Sequence, residues 1–113
     1  MAYPHSVPMS AWRREIARAT VLAYRRAMVE HGFAQEAYFA GKAAYSAAGG
    51  DPERAERDVP MIAAAATRDH SEWFWRPVKA RIERQERYLR STGMWPPPLL
   101  DRRSWPPVPA DFA

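Results

Sequence analysis

The sequence predicts an all-α fold: a small bundle of three to five helices over residues 1–94, followed by an extended Pro/Trp-rich C-terminal arm over 95–113. Three observations carry that reading. Apolar residues recur at helical spacing between glycines and prolines placed as helix ends. Alanine supplies 21 of the 113 residues while Leu, Ile, Val and Phe together supply 17, so large aliphatic side chains are scarce. Six of the eleven prolines fall after position 94, where fixed φ and missing N–H groups favour polyproline II over helix or central strand.

Taken in order, Ser10 is placed to cap a helix starting at Ala11. Trp12, Ile16, Ala23, Tyr24, Ala27 and Met28 then keep helical spacing to Gly32, a natural terminator. A second helix runs from Phe33 to Ala48. Its small residues repeat four apart, Ala37 with Gly41 and Ala40 with Ala44 and Ala48, which lets helix axes approach closely. Tyr38 and Tyr45, flanked by Phe39, are its aromatic wedges, and Gly49-Gly50 ends it.

Asp51-Pro52-Glu53 reads as a helix start, with an N-cap, a proline at the first helical position and an acid near the positive end of the dipole. Pro60 is expected to interrupt that helix and Asp58 to recap it, leaving Met61 to Thr67 as a separate piece buried on several sides. The turn Arg68-Asp69-His70-Ser71 leads into Glu72-Trp73-Phe74-Trp75, where Pro77 is expected to break or kink the chain. The last helix shows a narrow apolar stripe of Val78, Ile82 and Leu89, with Glu83/Arg87 and Glu86/Arg90 as i,i+4 pairs, and stops at Gly93.

The two Trp-Pro-Pro units of the arm, at Trp95 and Trp105, start ten residues apart. At about 3.1 Å per residue the 19-residue arm has a reach of nearly 60 Å, enough to wrap its own domain or cross to another chain. Trp95, Pro96, Pro97, Pro98, Trp105, Pro106 and Pro107 are accordingly the candidate partner-binding residues. A Trp offers large contact area at low entropic cost, and a stiff proline segment loses little more on docking.

Composition narrows the function classes. With no cysteine, disulfide scaffolds, thiolate metal sites and cysteine nucleophiles are excluded. The net charge is +4, and 15 of the 17 basic residues are Arg with no Asn anywhere, a bias that lowers the weight of any arginine count. Arg14, Arg18, Arg25 and Arg26 nevertheless share the polar side of the first helix and are the candidate phosphate contacts. Arg13 and Arg14 sit at the disfavoured end of the helix dipole unless an acidic partner is present. The joint at Gly32 approaches a helix-turn-helix, but the second helix is lined by Ala and Tyr rather than by a polar recognition face.

Asp69-His70-Ser71-Glu72 is the single run resembling acid–base chemistry. A turn that caps the next helix through Ser71 or Asp69 is the preferred reading of it. His5, His31 and His70 show no metal-ligand spacing, and four of the five glycines stand at helix ends rather than in a phosphate loop. No catalytic residue, metal or cofactor is assigned.

The first ten residues lack the order of a signal peptide, and no apolar run approaches the ~18 residues of a membrane helix. The chain is therefore expected in the cytoplasm and away from membranes. These features favour a non-catalytic accessory or adaptor subunit that binds a larger protein partner or a second copy of itself. The alternative is a small Arg-faced nucleic-acid binder, a regulator or packaging component.

Overall fold

A computed structural model describes residues 7–95 and 105–112, and the described residues are all-helical with no strand. After a single 3-10 turn, Met9–Ala11, the helices are α1 (Arg14–His31), α2 (Ala34–Ala47), α3 (Ala55–Asp69) and α4 (Ser71–Ser91). Helix α1 starts later than expected. Ser10 makes no capping bond; the Ala11 N–H donates to Pro8 O and the Trp12 N–H to Met9 O, and Trp12 is extended at φ −117° and ψ 157°. That extension lays Met9 and Trp12 against the core, so burying the indole, rather than a cap, decides where α1 begins.

Helices α1 and α2 form an antiparallel pair about Gly32. Its φ of 75° is open to glycine at no steric cost, and its N–H closes the last turn on Met28 O at 2.9 Å. The small-residue seam is real. Ala37 is fully buried, and a methyl added at Gly41 would stand 3.0 Å from Val59 of α3, 3.4 Å from Tyr24 and 3.7 Å from Thr20 of α1. Three helices therefore meet at one missing side chain. Of the expected wedges, Tyr45 is buried, Tyr38 is half-buried and Phe39 faces solvent.

Helix α3 runs unbroken through Pro60, contrary to the expected interruption. A proline removes the hydrogen bond to the carbonyl four residues back and crowds that carbonyl with its ring. Here that is Glu56, an exposed position open to water. Asp51 is not the N-cap of α3, nor is Pro52 its first residue: the helix starts at Ala55 with Arg54 at the N-cap position and no side-chain cap, and Asp51 Oδ1 accepts the Glu53 N–H at 2.9 Å in the turn before it. Asp58 is not a cap; it lies inside the helix, buried, with its carboxylate turned to α2. There Tyr45 donates its hydroxyl to Asp58 Oδ2 at 2.7 Å while Arg57 Nε donates to Oδ1 at 3.2 Å. The Tyr45 ring in turn packs so tightly on Gly50 that any Cβ there would collide with it.

Helix α4 also continues through its proline, Pro77, and only His70 separates it from α3. Phe74 lies at the centre of the bundle, fully buried, edge-on to Trp75 at 4.9 Å and 6.0 Å from Tyr24. Ile16, Val21, Val59 and Ile62 complete this cluster, and Ala27, Met28, Ala37 and Val78 form a second one. The thin aliphatic supply is thus offset by aromatic rings set among alanines. Along α4 the expected pairs Glu83/Arg87 and Glu86/Arg90 do not close to ion-pair distance among the described residues. Exposed pairs of this kind gain little, and Arg90 instead lies over the Trp95 ring at 4.7 Å. Gly93, at φ 75°, ends the helix, with the Met94 N–H returning to Leu89 O at 2.9 Å.

Burial first, and then the bond and charge of Asp58, push the Tyr45 hydroxyl from its ordinary 10.0 up to about 12. A raised pKa means that the folded state favours the neutral hydroxyl. This contribution is complete below pH 10 and is lost as pH rises through about 12. Tyr45→Phe strands one Asp58 oxygen in the core and is expected to cost about 1–3 kcal/mol at neutral pH. In urea denaturation series, the wild-type chain loses more stability than the variant between pH 10 and 12.

Candidate docking surface

Two concavities flank the bundle, and each is built by residues distant in sequence. The first is a groove of about 690 Å³ between the 3-10 turn, α1 and the corner where α3 passes into α4. Ala17, Val21 and Ala66 line it deepest, being buried. Met9, Trp12 and Trp73 supply larger apolar surface, and Arg14, Arg18 and His70 supply polar edges.

The position of Trp73 follows from the chemistry of Pro77. Having no N–H, Pro77 leaves the carbonyl four residues back, that of Trp73, without its helical donor. Arg25 of α1 takes the vacated place. Its Nη2 donates to Trp73 O at 2.9 Å while its guanidinium lies 4.0 Å from the centre of the Trp73 ring. One side chain thereby satisfies the orphaned acceptor, stacks on the indole and ties α1 to the start of α4.

The candidate phosphate contacts are divided by this arrangement. Arg14 and Arg18 are exposed and edge the groove, Arg26 is exposed, and Arg25 is engaged with Trp73. Nor does the Asp69-His70-Ser71 run converge. Arg68 holds both Asp69 oxygens, Nε to Oδ1 at 2.8 Å and Nη2 to Oδ2 at 3.0 Å, and that pairing holds the Asp69 carboxyl below its ordinary range. No side chain caps α4: His70 occupies the N-cap position, so neither Ser71 nor Asp69 plays the expected part. Arg68 Nη2 also donates to Val7 O at 3.2 Å, holding the chain just before the 3-10 turn.

The second concavity, about 520 Å³, lies between the α1–α2 joint and the second half of α4, with Trp105, Pro107 and Val108 of the arm along it. Trp105 and Trp95 meet edge to face with ring centres 6.4 Å apart. Trp95, Trp105 and Pro106 are half-buried and Pro107 is exposed, while Pro96, Pro97 and Pro98 lie outside the described residues. Arg84 holds the end of the arm, its Nη2 donating to Pro109 O at 2.8 Å and Phe112 O at 3.1 Å, and Phe112 sits edge-on to Tyr88 at 5.3 Å. The described part of the arm therefore lies on its own helix.

The sequence pattern places Trp12 on the apolar side of the first helix but not in a groove, and by itself assigns no part to Met9, Arg84 or the Arg25 bond. One signal for that bond was present: a proline four residues after Trp73 announces a carbonyl in need of a donor. Comparison with protein-family models, curated proteins and solved structures gives no match. Among the described residues no group of three or more His, Cys, Asp or Glu is placed to hold a metal, and no helix is long and apolar enough to cross a membrane.

Arg25→Ala is expected to cost about 0.5–1.5 kcal/mol, because the exposed Trp73 carbonyl exchanges its guanidinium donor for water. Against a Pro77→Ala background, where residue 77 regains an N–H, the cost should fall by about 1 kcal/mol, which a double-mutant cycle in urea measures directly. For the arm, Arg84→Ala should raise hydrogen exchange across 105–112 while leaving protection in α1 to α3 unchanged.

Proposed function

We propose that this chain is a non-catalytic accessory subunit that joins a protein partner through its helix surfaces and its Trp-Pro-Pro arm. The observation that carries the reading is the placement of large apolar side chains in solvent. Phe39 is 57% exposed, Leu22 44% and Trp73 39%, in a chain that has few such residues for its core. Single exposed apolar residues are ordinary, but an apolar groove next to one of them is the kind of surface that partners bury.

The arm adds to that surface. Its inner side rests on α4 and the α1–α2 joint, while Pro107 and Pro109 stay exposed on it. The alternative of phosphate binding draws on Arg14, Arg18 and Arg26, with Arg25 withdrawn by its bond to Trp73. Distributed among exposed helix positions, three arginines support only a weak, salt-sensitive interaction.

Affinity isolation from nuclease-treated lysate of the source cell, together with sedimentation of the purified chain, tests the reading. The full chain is expected to retain a protein in stoichiometric amount, or to sediment above monomer mass. Leu22→Ser/Phe39→Ser should lose that association while the melting temperature stays within a few degrees, because both side chains are exposed. A monomer that retains no protein overturns the proposal. Material retained only when nuclease is omitted moves the assignment to nucleic acid.

A further inference from the structure

We infer that the groove between the 3-10 turn, α1 and the α3–α4 corner is the docking site for an acidic peptide segment of a partner protein, one carrying a large apolar anchor. The inference rests on the protein-association reading above and names the partner's chemistry. Its apolar part is set by Met9, Trp12, Ala17, Val21, Ala66 and Trp73, around a volume of about 690 Å³, which lies within the ~300–1,000 Å³ range of ligand sites.

The charge of the occupant follows from the rim. Arg14, Arg18 and His70 line the groove, and among the described residues no Asp or Glu does. Of the acids nearest in sequence, Asp69 is held by Arg68, Glu15 lies about 100° around α1 from Arg14, and Glu72, though next to Trp73 in the first turn of α4, is not among the residues that line the groove. Within the fold itself the placement of Arg14 has a cost. It is the first residue of α1, next to Arg13, at the positive end of the helix dipole, and neither side chain makes a hydrogen bond or ion pair among the described residues, although the Arg13 carbonyl accepts the Ala17 N–H. A local rule broken without an internal gain marks a position that serves binding, and an incoming carboxylate removes the penalty.

Charge also separates the competing occupants. Residues 1–6, Met-Ala-Tyr-Pro-His-Ser, carry no acid, and a second copy brings the same net charge of +4. A different, acidic chain fits better than either. The walls are held before it arrives: Arg25 bonds the Trp73 carbonyl and stacks on its ring, and Arg68 fixes the backbone at Val7 beside Met9. Little ordering remains to oppose docking.

A random peptide library displayed on phage and panned on the full chain tests this, with the Arg14→Glu/Arg18→Glu variant as counter-target. The enriched peptides should combine Trp, Phe or Leu with net negative charge. Synthetic copies should bind the variant at least about tenfold more weakly and lose affinity as salt rises. The variant folds at least as well as the parent at its first helical position, since an acid there suits the dipole, and circular dichroism and melting confirm it. Enriched peptides that bind parent and variant alike overturn the groove assignment and leave the association reading standing. No enrichment overturns the groove assignment, and if the chain is also a partnerless monomer, both readings fall. Binding to phosphatidylglycerol vesicles or to single-stranded oligonucleotide, with no acidic peptide enriched, overturns it in favour of a lipid or nucleic-acid surface.

Discussion

Pro77 removes one backbone donor from the first half of α4, and the remedy shapes the whole side of the molecule that faces the groove. A carbonyl freed inside a helix must find water or another donor. At Trp73 the donor is Arg25, reaching across from α1 to a residue 48 positions away, with the guanidinium laid on the same indole whose carbonyl it satisfies. Pro60 offers a contrast. Its freed carbonyl belongs to the exposed Glu56, no side chain among the described residues bonds it, and α3 carries on. Two prolines with the same covalent defect thus have different structural consequences: at one the freed carbonyl takes a guanidinium from a neighbouring helix, and at the other the helix carries on without one among the described residues.

Close approach of backbones organises the interior. With alanines and Gly41 at the seams, α1, α2 and α3 come near enough for modest side chains such as Val59 and Thr20 to fill the space. Thr20 is fully buried and returns its hydroxyl to Ile16 O at 2.7 Å, so it packs as a small side chain without an orphaned polar group. Asp58 is the sharper case. A buried carboxylate with only one oxygen satisfied would be costly; the Tyr45 hydroxyl and the Arg57 guanidinium engage both, and the bond joins α2 to α3 at a defined register.

The two concavities differ in kind. The one near α4's second half is crossed by the chain's own arm, with Arg84 and Tyr88 holding Phe112 and Arg90 covering Trp95. The other is open, apolar within and basic at its edges. Arginine is well suited to both settings, since its planar guanidinium bonds carbonyls and stacks on rings in the same geometry. The count of arginines along the sequence says little about phosphate; the neighbours of each decide what it does.

The helical class, the end of α1 at Gly32, the end of α4 by Gly93 and the Ala37/Gly41 seam were legible in the sequence. Each depends on a property carried within a few residues: apolar period, left-handed φ, the absence of a Cβ. The fate of Pro60 and Pro77, the burial of Asp58 inside α3, the delayed start of α1 at Arg14 and the division of the Arg14/Arg18/Arg25/Arg26 set were decided only by the tertiary structure. In each of these the deciding group is remote in sequence, or is solvent itself: Tyr45 for Asp58, Trp73 for Arg25, the core for Trp12, water for Glu56. A local pattern states which donor or acceptor is missing, but only the packed helices determine what replaces it.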